Sequence, residues 1–179
     1  MQVPPAQITP AMRRYVLHWG EMGQRWGVNR TVAQIHALLY LAETPQHAEQ
    51  ITQALGVARS NVSTSLKELM GWDLIRLVHL EGDRRDHFAA RTDPWDMLEL
   101  IVEGRKRREI DPTLEMLSAC VAEAEGDKAT PAYARERLKT MQGFLVQLDG
   151  WHRQMRDVPR PTLIKLIALG GRIAKLIGR

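Results

Sequence analysis

Residues 59–67 concentrate the polar side chains best suited to reading another molecule: Arg59, Ser60, Asn61, Ser63, Thr64 and Lys67. A guanidinium fork pairs with guanine acceptors or phosphate oxygens, and a carboxamide pairs with adenine. Short hydroxyls bond phosphates or base edges without holding the backbone away. Val62, Leu66 and Leu69 recur among them at helical spacing. A helix over this segment buries those three and turns the polar set outward. A second cluster, Gly82-Asp83-Arg84-Arg85-Asp86, places two adjacent arginines on a turn, with acidic neighbours to orient them. Arg76 and His79 lie just upstream of it. Taken singly, each feature reads as ordinary surface, packing or a solvated loop. In this order and at these distances they point to double-stranded DNA, whose major groove admits one α-helix. Phosphate contacts position such a helix and base contacts select sequence. Which residue does which is left open.

The elements that must hold these residues are legible in the spacing. A helix is expected from Thr9 to Trp26, with Pro10 in its first turn and Met12, Tyr15, Val16, Trp19 and Met22 on its buried face. Gly27-Val28-Asn29 breaks it. Thr31 is the expected N-cap of a helix to Ala42, striped by Ile35, Leu38 and Leu39. Pro45 precedes a short helix, Ala48–Leu55, which Gly56 ends in a left-handed conformation. A helix Arg59–Trp72 follows. Leu74–Leu80 and Arg84–Ala90 then read as a hairpin around Glu81-Gly82-Asp83, with imperfect alternation.

The C-terminal half reads as helical. Asp93-Pro94, Asp111-Pro112 and Thr130-Pro131 each offer an N-cap followed by proline at the first helical position. The helices expected are Pro94–Ile110, Pro112–Glu125 and Pro131–Met155, the first two alternatively one helix kinked at Pro112. After Pro159 and Pro161 comes a last, basic amphipathic helix, Thr162–Ile177. Ala134, Leu138, Met141, Leu145 and Leu148 make a heptad-like stripe, interrupted at His152 and resumed at Met155. It suits a homodimer seam or an ordinary intramolecular face.

Composition sets the bounds. The chain has 179 residues, 44% hydrophobic and 26% charged, with net charge +4 and pI about 9.5. This is a folded, modestly basic protein. A single cysteine, Cys120, forbids an internal disulfide and a cysteine-rich zinc cluster. His18, His36, His47, His79, His87 and His152 lack close metal-ligand spacing, so no metal and no cofactor are expected. No phosphate loop, nucleophile motif or paired carboxylate signature suggests an enzyme. Met1–Pro10 lacks a signal pattern. The apolar run Leu163–Ile177 is broken by Lys165, Gly170, Gly171, Arg172 and Lys175, short of the roughly 20 residues that span a bilayer. A cytoplasmic location without stable membrane association is expected.

Four runs carry a family resemblance: WGVNRTVAQIHALLYLAETP (26–45), ITQALGVARSNVSTSLKELMGWDLI (51–75), GDRRDHFAA (82–90) and RKRREIDPTLEML (105–117). They resemble the GbsR branch of the MarR-like transcriptional regulators, over about Trp19 to Leu117. The resemblance implies a winged helix-turn-helix, with Arg59 to Lys67 on the recognition helix and Arg84 and Arg85 in the wing. It also implies a homodimer built through terminal helices. Ala58 departs from the family, which commonly has serine at the start of the recognition helix. Some relatives respond to choline and control glycine betaine synthesis or uptake. Aromatic faces hold quaternary ammonium groups by cation–π attraction, so Trp19, Trp26 and Trp95 are the candidate cage for a small-molecule effector.

The fold class expected is therefore mainly α with a small β-hairpin wing: a winged helix-turn-helix plus long C-terminal dimerisation helices. Residues 1–30 form an N-terminal arm and helix supporting the dimer, 31–91 the DNA-binding domain and 92–179 the helical dimerisation region. The function expected is a sequence-specific DNA-binding regulator, a repressor acting as a homodimer. The alternatives are a winged-helix protein-interaction module and a membrane-surface adaptor using the last helix.

Overall fold

A computed structural model of the chain describes residues 8–170. They divide into two units, with the boundary between Gly104 and Arg105.

In the first unit, α1 (Pro10–Arg25) starts where expected, because Thr9 accepts a hydrogen bond from the Met12 amide. It packs on α2 (Arg30–Leu41). The approach is close: a Cβ added at Gly23 would lie 2.5 Å from Ala33 Cβ. Asn29, not Thr31, caps α2, its Oδ1 accepting from the Thr31 amide at 2.8 Å. The loop after Gly27 leaves Asn29 extended just ahead of the first helical turn, so the shorter reach falls to its side chain. Val32, Ile35, Leu38 and Leu39 of α2 are buried with Ile51, Val62, Leu66, Leu69, Leu74, Ile75 and Phe88. A helix buried this completely forms the centre of the unit.

The short helix α3 (Ala48–Leu55) has the bounds expected from sequence. Gly56 ends it at φ 67°, a conformation that favours glycine. α4 (Arg59–Gly71) follows. Strands β2 (Ile75–Leu80) and β3 (Asp83–Ala90) form the antiparallel hairpin. Its imperfect alternation has a structural cause, a register shift between Val78 and Leu80. The hairpin belongs to a three-stranded sheet of order β1-β3-β2, in which β1 (Gln46–His47) pairs with β3. Two residues carry no periodicity, so β1 leaves no pattern in the sequence. α5 (Pro94–Arg105) adds Met97, Leu100 and Ile101 to the edge of the core. The Asp93 side chain accepts from the Trp95 amide at 2.8 Å. The expected mainly helical winged helix-turn-helix is the fold found.

The second unit opens with a π-helical turn, Lys106–Ile110, leading directly into α6 (Asp111–Gly126). Asp111 was expected to cap a new helix, but it and Ile110 are both helical. Pro112 has no N–H for the carbonyl four residues back, and its ring would crowd that carbonyl. The wider π turn just before it relieves this without ending the helix. The Asp111 carboxylate instead meets Lys106 Nζ at 2.5 Å, and the same ammonium lies 3.1 Å from Asp149.

α7 (Ala132–Arg156) packs on α6. Pro131 holds its N-cap position, which had been expected of Thr130. The Thr130 hydroxyl is turned back to donate to Asp127 Oδ2 at 2.8 Å. Gln142 Nε2 donates to Ser118 Oγ at 3.0 Å, and Lys139 pairs with Glu125 at 2.8 Å. The heptad-like stripe divides between two faces. Ala134, Leu138 and Leu145 are half-buried, whereas Met141 and Leu148 are exposed beside Phe144 and Trp151. Cys120 is half-buried on α6. α8 (Arg160–Leu169) begins two residues earlier than expected. The remainder of the expected last helix, and Met1 to Gln7, lie outside the described residues. Among the described residues no helix is long and apolar enough to cross a membrane.

Candidate nucleic-acid interface

α4 shows how a periodic sequence becomes a two-sided element. Val62, Ser65, Leu66 and Leu69 are buried, against a core supplied by α2 and α3. Arg59, Ser60, Asn61, Ser63, Thr64 and Lys67 are all exposed. The apolar anchors fix the helix in rotation, so its polar face is presented without being used for packing. Ala58 at the N-cap makes no side-chain hydrogen bond. The first-turn amides of α4 therefore lack the side-chain acceptor that a capping residue supplies, and these positive ends of backbone dipoles suit a phosphate.

Arg59 is held loosely. Its Nη1 lies 3.2 Å from Glu49 Oε1 on α3, with 73% of the Arg59 side chain exposed. Exposed pairs of this kind contribute little to stability, so an incoming phosphate or guanine can displace the glutamate. Glu49 is a member of this surface that the sequence reading did not identify, since the pair joins residues ten apart through the turn.

The wing is more tightly organised. Arg84 and Arg85 are both exposed on β3. Asp83 accepts from Arg85 Nε at 2.9 Å and from Arg85 Nη2 at 2.5 Å, and its Oδ1 also accepts from the Arg85 amide at 3.0 Å. These hydrogen bonds hold the Asp83 carboxyl well below the usual carboxylate range and raise the Arg85 guanidinium above its ordinary value. Asp83 thus orients Arg85, while Arg84 has its charge at the turn. Arg76 and His79 are exposed on β2. Between wing and helices lies a cleft of about 380 Å³, lined among others by Arg59, Lys67, Arg85 and Phe88.

The structure thus places every residue expected to touch DNA on the exposed surface of α4 or the wing of one unit. The three tryptophans are distributed differently. Trp19 and Trp26 lie on and at the end of α1, and Trp95 lies on α5. Trp26 is 57% exposed. Trp19 stacks on Tyr15 at 5.5 Å, and Tyr15 on Tyr40 at 6.4 Å. An aromatic stack of Tyr15, Trp19 and Tyr40 thus joins α1 to α2. Tyr15 recurs four residues before Trp19, and that spacing was the available signal for the first pair.

Residues 26–86, which span α2 to the wing, match the model of the MarR family. Among solved structures, the chain is similar to one described as a transcriptional regulator, with TM-score 0.62 and 21% identity, covering 82% of this chain and 99% of that one. This likeness concerns the fold. Two further structures match at TM-score 0.38. One is a mutant of S. aureus MepR bound to an oligodeoxyribonucleotide, at 17% identity and covering 77% of this chain and 90% of that one. The other is transcriptional regulator Tm0710 from Thermotoga maritima, at 18% identity and covering 83% and 94% respectively. No curated protein matches the chain.

Proposed function

We propose that this protein is a MarR-type transcriptional regulator, acting as a sequence-specific repressor on double-stranded DNA in the cytoplasm. The observation that carries the reading is the exposure of Arg59, Ser60, Asn61, Ser63, Thr64 and Lys67 on α4 over a buried apolar anchor, flanked by a wing that carries Arg84 and Arg85. In this reading α4 enters the major groove, where Arg59 and Asn61 meet base edges and the hydroxyls of Ser60, Ser63 and Thr64 meet phosphates or bases. Lys67 adds charge along the helix. Arg84 and Arg85 hold phosphates or the adjacent minor groove. No step of this function calls for catalysis.

A repressor of this kind works as a homodimer, whose two recognition helices meet half-sites about one helical turn apart. The exposed apolar face of α7, with Met141, Phe144, Leu148 and Trp151, supports assembly through the C-terminal region. Residues 31–91 are the DNA-binding domain in this proposal; 1–30 and 92–179 serve the dimer. A quaternary ammonium such as choline is the proposed effector, held by aromatic faces that include Trp19, Trp26 and Trp95. Titration of choline, followed by tryptophan fluorescence and DNA affinity, tests that part; no change in either removes it.

The main test is binding to the DNA upstream of the protein's own gene and to random DNA, across a series of salt concentrations. Specific, salt-sensitive binding is expected, lost in Arg59→Ala and weakened in the Arg84→Ala/Arg85→Ala double variant. Equal, weak binding to all DNA that ignores these substitutions would refute the reading. Sedimentation of the free protein reports the dimer.

A further inference from the structure

β1 and β3 meet at a pair of buried histidines. His47 and His87 are register partners, and their rings pack edge to face with centroids 5.4 Å apart. His87 is 0% exposed and His47 is buried. His47 has a second task. It is the N-cap of α3: its Nδ1 accepts from the Gln50 amide at 3.4 Å, and its own amide donates to Gln50 Oε1 at 2.9 Å. This is a capping box in which an imidazole stands where a hydroxyl is usual. One residue therefore ties the first helix of the helix-turn-helix to the strand that carries the wing arginines.

An imidazole serves as this acceptor only while Nδ1 keeps its lone pair. Protonation turns the acceptor into a donor facing another donor. It also places a positive charge at the positive end of α3. His87 adds to the conflict. Its Nδ1 lies 3.0 Å from the Arg85 carbonyl, which only accepts, so Nδ1 carries the proton. Its Nε2 makes no hydrogen bond, and it stands 3.7 Å from Asp83 Oδ2.

We propose that the His47–His87 pair is an acid-sensitive latch between the helix-turn-helix and the wing, closed at neutral pH and opened by protonation of His47, with loss of DNA affinity. The proposal rests on the DNA-binding reading above for its functional consequence. The charged groups around the pair are Glu49 on α3, Arg59 and Lys67 on α4, and Asp83, Arg85 and Asp86 on β3. Asp83 is engaged by Arg85 and Glu49 is loosely paired with Arg59, and the support these two carboxylates give an imidazolium is the weaker influence on His47. Burial lowers the His47 pKa below its ordinary value. Arg85 and His87 lower it further, against weaker opposition from Glu49 and Asp83. A folded-state pKa below the free value means that the proton favours the released arrangement, so release is driven as pH falls below the ordinary imidazole value. The consequence reaches DNA through two contacts: α3 supports α4, and β3 carries Arg84 and Arg85.

The test compares wild type with His47→Asn, a capping residue that does not titrate. His47→Ser is the second variant if the first fails to fold. Affinity for the upstream duplex is measured from pH 8 to pH 5 at fixed ionic strength. Wild-type affinity is expected to fall about tenfold relative to the variant, the factor that corresponds to one lost cap. Parallel pH profiles would overturn the latch. Hydrogen exchange of the Gln50 amide in the free protein supplies a readout without DNA. Protection lost as His47 titrates supports the latch even if no DNA is bound at any pH, an outcome that refutes only the regulator reading. Protection that ignores pH overturns the latch.

Discussion

His36 sits in the middle of α2 among Ile35, Ala37, Leu38 and Leu39, with 5% of its surface exposed and no hydrogen-bond partner for Nε2. Burial pushes its pKa down from 6.5 to about 4. In the unfolded chain the imidazole takes up a proton near pH 6.5; in the folded chain it stays neutral until about pH 4. Between these values the unfolded state binds more protons, so stability falls as pH falls, by about 1.4 kcal/mol per unit. The full loss is about 3 kcal/mol, of which about 2 kcal/mol has accrued by pH 5. Above pH 6.5 His36 contributes no slope. Replacing it with leucine removes both the titration and a buried polar atom without a partner, which itself costs about 1–3 kcal/mol. His36→Leu is therefore expected to match or exceed wild type at pH 7.5. Its advantage should grow by about 2 kcal/mol at pH 5. Urea unfolding at the two pH values, followed by circular dichroism and tryptophan fluorescence, measures the double difference. That difference cancels the other histidines, His47 included. An advantage that is the same at both pH values would refute the reasoning.

Three further substitutions probe separate parts of the fold. Gly23→Ala places a methyl group 2.5 Å from Ala33 Cβ and forces α1 off α2; a loss of about 1–3 kcal/mol is expected in thermal or urea unfolding. Ala58→Ser supplies the missing cap of α4; a gain of about 0.5–2 kcal/mol is expected in unfolding experiments, with tighter DNA binding from the added hydroxyl. Glu49→Gln releases Arg59 from its ion pair; the affinity for DNA should rise about two- to fivefold at low salt and converge with wild type at high salt, as screening removes the competitor.

Much of this protein is local, and local physics is what a sequence displays. The bounds of α3, the glycine that ends it, the two-faced character of α4 and the turn beneath Arg84 and Arg85 all follow from helical spacing and turn chemistry within a few residues. The exposed α4 face needed no knowledge of its neighbours, because three apolar anchors at helical spacing fix which side is out. What depended on the rest of the chain is of another kind. Thr31 was the expected cap of α2, and the path of the preceding loop gave that role to Asn29. Thr130 lost its cap to a hydrogen bond with Asp127. The stripe on α7 suited either a homodimer seam or an intramolecular face, and the presence of α6 divided it into a covered part and an exposed one. Glu49 meets Arg59, and His47 meets His87, only because the turn at Gly56 and the pairing of β1 with β3 bring distant residues together. The sequence alone determined which side chains this protein offers to a partner. Tertiary structure decided which of them are held, by what, and at which pH, since desolvation and pairing belong to neighbours that only folding supplies.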